Sequence, residues 1–319
     1  MSRIVTYGGA VLLLLALTAA PSPAQLGGAP GAFTRMGFGA RGIGMGNAMT
    51  AVTGEELVGI YNPAVLPFGT GRTITASFSI LTLDRKLNFL SYSQPVRPSA
   101  GISAGLINSG VSEIDGRDAD GNPTGMLHTS ENLFFLSFAN RFQSRLSLGI
   151  TLKLLYHHLY TDVSTTTVGI DFGGVFQVTE ELRVGATVRD INAEYKWDSS
   201  ELYVQSGNTT NEPFPLLTTV GLSYLLPESL GVLAADLEIS DRSTLIGRVG
   251  AEVSLTPEVR LRAGLDRIDL KEEGNGVKPS FGFTVRRQIE SVVPALHYTF
   301  VLEPFASSGY HVIALSVTL

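Results

Sequence analysis

Short segments in which apolar and polar side chains alternate run from about residue 72 to Leu319. A period of two marks a strand with two different faces, because successive side chains leave a pleated backbone on opposite sides. In 245–255, Leu245, Gly247, Val249, Ala251, Val253 and Leu255 share one face, while Arg248, Gly250, Glu252 and Ser254 share the other; Ile246 breaks the pattern. Val259, Leu261, Ala263 and Leu265 oppose Arg260, Arg262, Gly264 and Asp266, and Leu146, Leu148, Ile150, Leu152 and Leu154 oppose Ser147, Gly149, Thr151 and Lys153. Leu182, Val184, Ala186 and Val188 oppose Arg183, Gly185, Thr187 and Arg189, and at the end Ile313, Leu315, Val317 and Leu319 oppose Ser316 and Thr318. About fourteen such segments are predicted, each near the ~9–11 residues with which a tilted strand crosses a bilayer. They start near residues 72, 86, 100, 131, 144, 165, 182, 215, 231, 245, 258, 279, 291 and 310. Between 86 and 141 the alternation blurs: Leu133-Phe134-Phe135 is apolar on both faces, and the strand limits there stay open.

The links between segments alternate in length. Those after even-numbered segments are short, as at 179–181, 227–229, 256–258 and 289–291, whereas 111–130, 192–214 and 267–278 are long. Short turns at the periplasmic end and longer loops outside are the habit of outer-membrane barrels, and an even strand count returns both barrel ends to the periplasm. The expected fold is therefore all-β: a transmembrane antiparallel up-and-down β-barrel over 72–319. Lipid offers no hydrogen bonds, so the sheet must close, the apolar face must meet lipid and the ionic face must line the lumen. On that reading Lys153, Asp171, Arg183, Arg189, Asp236 and Glu238 point inward. So do Arg248, Glu252, Arg260, Arg262, Asp266 and Arg286, with ion pairs expected between neighbouring strands.

Composition agrees. Charged residues are 16% of the 319, well under the ~25% of an ordinary soluble domain. Lys and Arg total 23 against 29 Asp and Glu, a net charge of −6 that calls for no nucleic-acid partner. Cysteine is absent, which excludes a disulfide framework and thiolate metal sites. Residues 1–24 read as a signal peptide: Arg3 in front, the apolar run Val11 to Leu17, and Ser22-Pro23-Ala24 ahead of a cleavage site. Residues 25–71 are rich in Gly and Ala and have no steady period.

Other motifs point to little chemistry. Gly37-Phe38-Gly39-Ala40-Arg41-Gly42 matches G-x-G-x-x-G, but no strand precedes it, so it reads as a closely packed segment rather than a dinucleotide loop. Asp115, Asp118, Asp120 and Asn122 cluster in 111–130; Pro123 falls where a calcium loop needs glycine, which favours a solvated tip over a cation site. His157 and His158 are strand neighbours and must face opposite ways, while His297 falls on the less apolar, luminal face. No Ser-His-acid grouping, metal site or cofactor site emerges, and an enzyme is not expected.

The stretch from Ala32 to Ala48, with Gly37, Gly39, Arg41, Gly42, Gly44 and Gly46, resembles the start of mature PorV/PorQ-family proteins. Ala51-Val52-Thr53-Gly54 and Tyr61-Asn62-Pro63-Ala64 continue the match. So do Arg248-Val249-Gly250-Ala251-Glu252, Leu261-Arg262-Ala263-Gly264 and the run from Gly309 to Ser316. Asn62-Pro63-Ala64 also resembles the end of the plug in FadL-type transporters. The resemblance implies a FadL-like barrel of fourteen strands, with 25–71 folded into the lumen as a hatch. It further implies a docking or shuttle role in type IX-like protein secretion at the cell surface, with secreted cargo or other secretion components as partners. The long segments 111–130 and 192–214, the latter bearing Trp197 and Tyr203, would then supply docking surface. The alternative is a FadL-like transporter of hydrophobic small molecules, for which Pro294 could open the wall by removing a ladder hydrogen bond.

Overall fold

The computed structural model describes residues 26–319 except 58, 162, 201–206, 272–275, 305 and 307. The segment read as a signal peptide and Tyr203 lie outside the described residues.

Among the described residues sixteen strands form: β1 Thr73–Ile80, β2 Arg85–Val96, β3 Ala100–Arg117, β4 Pro123–Phe142, β5 Leu146–Tyr160, β6 Val163–Gln177, β7 Leu182–Ile191 and β8 Glu194–Asp198, then β9 Thr209–Pro213, β10 Leu217–Leu225, β11 Gly231–Ser240, β12 Leu245–Ser254, β13 Val259–Asp269, β14 Lys278–Arg286, β15 Val293–Val301 and β16 Tyr310–Thr318. Fourteen of them close into an antiparallel barrel in chain order, and β8 and β9 pair with each other as a separate hairpin. Thr73 opposite Thr318 seals β1 to β16.

The faces fall as lipid demands. Leu152, Phe172, Leu222 and Leu315 point out and stay exposed, while Thr151, Asp171, Ser223 and Ser316 point in and are buried. Exposing so much leucine and phenylalanine while burying Arg248, Glu252 and Asp266 makes sense only where the surroundings are hydrocarbon. The chain is an outer-membrane β-barrel.

Three elements differ from the sequence reading. Residues 111–130 are not an open loop: β3 and β4 run on as one hairpin to a tight tip at 118–122. Backbone pairing continues beyond the bilayer, where no lipid face is left to impose alternation. Of 192–214, the described residues 192–200 and 207–214 fold back rather than outward. The N–H groups of Glu194 and Lys196 donate to Thr167 Oγ1 (3.5 Å) and Thr165 Oγ1 (3.2 Å), both on the inner face of β6, and Tyr195 and Phe214 are buried. Pro294 opens no gap. It is the second residue of β15, the Arg287 N–H donates to its carbonyl (3.1 Å), and its pairing to Val317 runs on without a shift in register. A proline at a strand's start leaves the ladder intact. Register shifts occur instead at β3/β4, β5/β6, β6/β7 and β12/β13. The last of these follows Gly247, one residue beyond Ile246, which turns inward and is buried.

Candidate functional site

Residues 29–57 and 59–68 pack against inward side chains of the barrel, and the contacts differ from one side to the other. Facing β10–β14 they are polar and directional. Arg41, in the short helix α1 (Gly39–Gly44), makes a forked pair with Glu252, Nη2 at 2.9 Å and Nε at 3.1 Å. Glu252 also takes Arg262 Nε (3.1 Å) and lies 4.0 Å from Arg260. Glu55 gathers Arg260 (2.9 Å) and Arg286 at the periplasmic end. Asn47 Nδ2 donates to Asp266 (2.9 Å), whose other oxygen accepts from Arg248 Nε (2.8 Å). Arg248 reaches on to Glu238 (2.9 Å), which also holds Arg189 (2.6 Å). The Thr50 hydroxyl and N–H donate to Asp236. Glu252, Glu238 and Asp266 are each met by at least one guanidinium, the condition under which burial of charge is tolerated, whereas Asp236 Oδ1 has no hydrogen-bond partner among the described residues.

Backbone fit completes this seat. Gly46 has a φ of +59°, and a side chain there would meet the Leu265 backbone at 2.7 Å. Ser280 and Thr299 donate to the carbonyls of Gly44 (3.2 Å) and Ala40 (2.7 Å). Gly37 (φ +97°) lies against Asn47, and Gly42 against Tyr61. Farther along, Asn62 caps the 3-10 turn Pro63–Phe68: its Oδ1 accepts from the Ala64 N–H (3.0 Å), and its Nδ2 donates to Thr50 (2.6 Å) and to Gly174 of β6 (3.2 Å). On β5–β7, Lys153 lies 2.6 Å from both Asp171 and Asp190. Arg183 is buried, with Nε and Nη1 unbonded among the described residues.

Facing β2–β5 the lumen carries an apolar file among small hydroxyl residues such as Ser103 and Ser137. Phe89, Ile107, Leu133, Phe135 and Leu155 point inward and are buried. Ring centroids step from Tyr61 to Phe38 (5.4 Å), to Phe89 (6.0 Å) and to Phe135 (6.5 Å). At the outer mouth Tyr195 packs on Phe214 (4.9 Å), and Trp197 on His157 (5.0 Å). Tyr61 stands where the two sides meet: its hydroxyl donates to Asn47 Oδ1 (2.6 Å), the residue bonded to Asp266. A cavity of about 20 Å³ beside it, lined by Arg35, Asn47, Arg189, Asp236 and Arg248, has room for a water or two.

The sequence reading missed the apolar file. Its signal was present as the failure of alternation around Leu133-Phe134-Phe135: Phe134 faces lipid and the other two face the lumen. The reading also missed a luminal cluster at His297. Its Nδ1 meets Thr284 Oγ1 (2.7 Å), its Nε2 meets Ser316 Oγ (2.8 Å), and Glu56 lies 3.4 Å from that same nitrogen. The carboxylate thus sits on the serine side of the ring, not behind it as a nucleophile-activating relay needs. His157 and His158 do face opposite ways: one meets Trp197 inside, and the other stacks on His128 at 4.9 Å. Asp118 uses both oxygens on its own turn, accepting from Asp120 and Asn122, which leaves little for a cation.

No family model and no curated protein matches the sequence. Solved structures do match in fold. The toluene transporter TodX of Pseudomonas putida aligns at 14% identity with a TM-score of 0.60, over 88% of this chain and 97% of that one. CymD, a monoaromatic hydrocarbon channel, gives 14% and 0.60, over 88% and 96%. A Pseudomonas aeruginosa FadL homologue gives 11% and 0.57, over 81% and 92%. At such identities the likeness is one of fold.

Proposed function

We propose that this chain is an outer-membrane conduit for hydrophobic small molecules, with residues 25–71 acting as its hatch. The supporting observation is the inward aromatic and aliphatic file running from the Tyr195–Phe214 cluster at the mouth, along Phe135 and Phe89, to Phe38 on the hatch. An inner wall has no need of such residues to face water. Binding sites for apolar ligands are lined this way, with a few polar groups for orientation. The described state is shut, since the file is packed against the hatch; passage requires Phe38 to leave Phe89 while the polar seat on the other side holds. The fold likeness to TodX and CymD points the same way. The secretion-docking reading has less support, because Tyr195 and Phe214 turn into the mouth and 111–130 is a narrow hairpin.

The test is uptake. Cells carrying the chain should accumulate radiolabelled toluene or a similar monoaromatic faster than cells carrying Phe135→Asp, a change that plants a charge in the file. Equal uptake, with both barrels assembled, would sink the proposal.

A further inference from the structure

The outer surface carries a polarity pattern that the lumen does not explain. Across β2–β6 three outward rows follow the strand register. The lowest is apolar: Leu90, Leu106, Phe134, Leu154 and Val168 are paired neighbour to neighbour. The next row outward is Asn88, Asn108, Asn132, Tyr156 and Thr166. Its amides are bonded to each other, Asn88 Nδ2 to Asn108 (3.3 Å) and Asn108 Nδ2 to Asn132 (2.8 Å). The third row is Lys86, Gly110, Ser130, His158 and Ser164, with His128 stacked on His158. No carboxylate stands in any of the three rows.

The asparagine row stops at β1, beyond which the same levels carry the Tyr298–His311 pair (2.7 Å). On β1, Phe78 lies opposite Asn88 and Ile80 opposite Lys86, both well exposed. On the far wall exposed leucine and isoleucine reach Ile239, near the outer end of β11. The rows therefore mark a local break in the lipid-facing belt, and β3–β6 carry on outward beyond it. Whatever lies against the asparagine row is continuous with the lipid that covers Leu90, Phe134 and Leu154.

We propose that this face binds the headgroup of an outer-leaflet glycolipid bearing anionic sugars. Acyl chains rest on the leucine row. Sugar hydroxyls and amides bond the asparagines and Tyr156, whose side chains both donate and accept. Anionic groups meet Lys86 at one end and the His128–His158 pair at the other. Three strand spacings of roughly 4.8 Å put those ends about 14 Å apart, a disaccharide bearing a charge at each end. An ordinary phospholipid headgroup is too small to engage both.

The protein in nanodiscs containing a bis-phosphorylated glucosamine-disaccharide lipid and phosphatidylglycerol tests this, with retained lipid read by native mass spectrometry. The wild type should hold the glycolipid against exchange into excess phospholipid. Asn108→Leu/Asn132→Leu extends the apolar belt, which favours assembly, yet should lower retention by about tenfold, the equivalent of one or two hydrogen bonds. Lys86→Ala with His128→Ala and His158→Ala should erase the preference for the phosphorylated over the dephosphorylated lipid. Thr218→Leu on the far wall is the control and should leave retention unchanged. Exchange as fast as phospholipid, equal retention in the asparagine variant, or an equal loss in the control would each overturn the assignment.

Discussion

At inward positions of β11–β13 stand Glu238, Arg248, Glu252 and Arg262; at inward positions of β2–β5 stand Phe89, Ile107, Phe135 and Leu155. Both sets are buried in the lumen that the N-terminal segment enters, but by different physics. The ionic side works through directional contacts. A carboxylate such as Glu252 stabilises the fold only while Arg41 and Arg262 hold their geometry, and a displaced partner leaves a charge stranded in a dry interior. The apolar side works by area and is indifferent to small slides. The segment is thus held by ion pairs on one side and by apolar packing and close glycine contacts, such as Leu66 on Gly101 and Pro63 on Gly149, on the other.

The largest effect expected is on the ion-paired side. Glu252→Gln removes the charge shared by Arg41, Arg262 and Arg260. It should destabilise the barrel by about 3–5 kcal/mol in denaturant unfolding and open Arg41 to trypsin. Unchanged stability and protection would erase the distinction between the sides. Phe135→Ala cuts into the apolar side. It should cost about 3 kcal/mol through the cavity it leaves, while Arg41 stays resistant to trypsin. If this variant exposed Arg41 as readily as the first, the segment would be held by both sides alike. Gly46→Ala is a smaller test of the seat. It imposes a strained φ and crowds Leu265, for about 1–3 kcal/mol, with partial exposure of Arg41 and no change in the slope of the unfolding curve.

The same contrast explains what could be read from sequence. Where the lumen is ionic, as on β12 and β13, inside and outside differ sharply, and the alternation of Arg248, Glu252, Arg260 and Arg262 against leucine and valine gave both strand limits and facing. Where the lumen is apolar, at Leu133 and Phe135, both faces look alike to the pattern. The strand start predicted near 131 accordingly falls eight residues inside β4, which begins at Pro123. Loop geometry was not legible at all. Nothing local in 192–214 says that Tyr195 and Phe214 turn into the mouth, because that depends on the inner face of β6 being free to receive them. The pairing of Arg41 with Glu252 joins residues 211 apart in the chain, a distance no periodicity reports.

The smallest effect lies outside both sides and serves to isolate them. At the β3–β4 tip, hydrogen bonds from Asn122 to the Asp118 carboxylate, side chain first and backbone second, hold its pKa below the ordinary value. A carboxyl depressed in the folded state adds stability above its unfolded pKa, and that contribution fades as pH falls through the folded one. The tip should therefore be equally tight at pH 8 and pH 5 and loosen only in acid below about pH 4. Amide exchange at Asp120 and Asn122, whose N–H groups bond the carboxylate, reads this directly. Asp118→Ala should abolish the acid step and speed exchange at those two amides at all pH values, leaving trypsin resistance at Arg41 untouched. Loosening near neutral pH would mean that the Asn122 bonds do not hold the turn. A change at Arg41 would mean that the tip is coupled to the lumen, and the division between an ion-paired side and an apolar side would then have to include the outer hairpin as well.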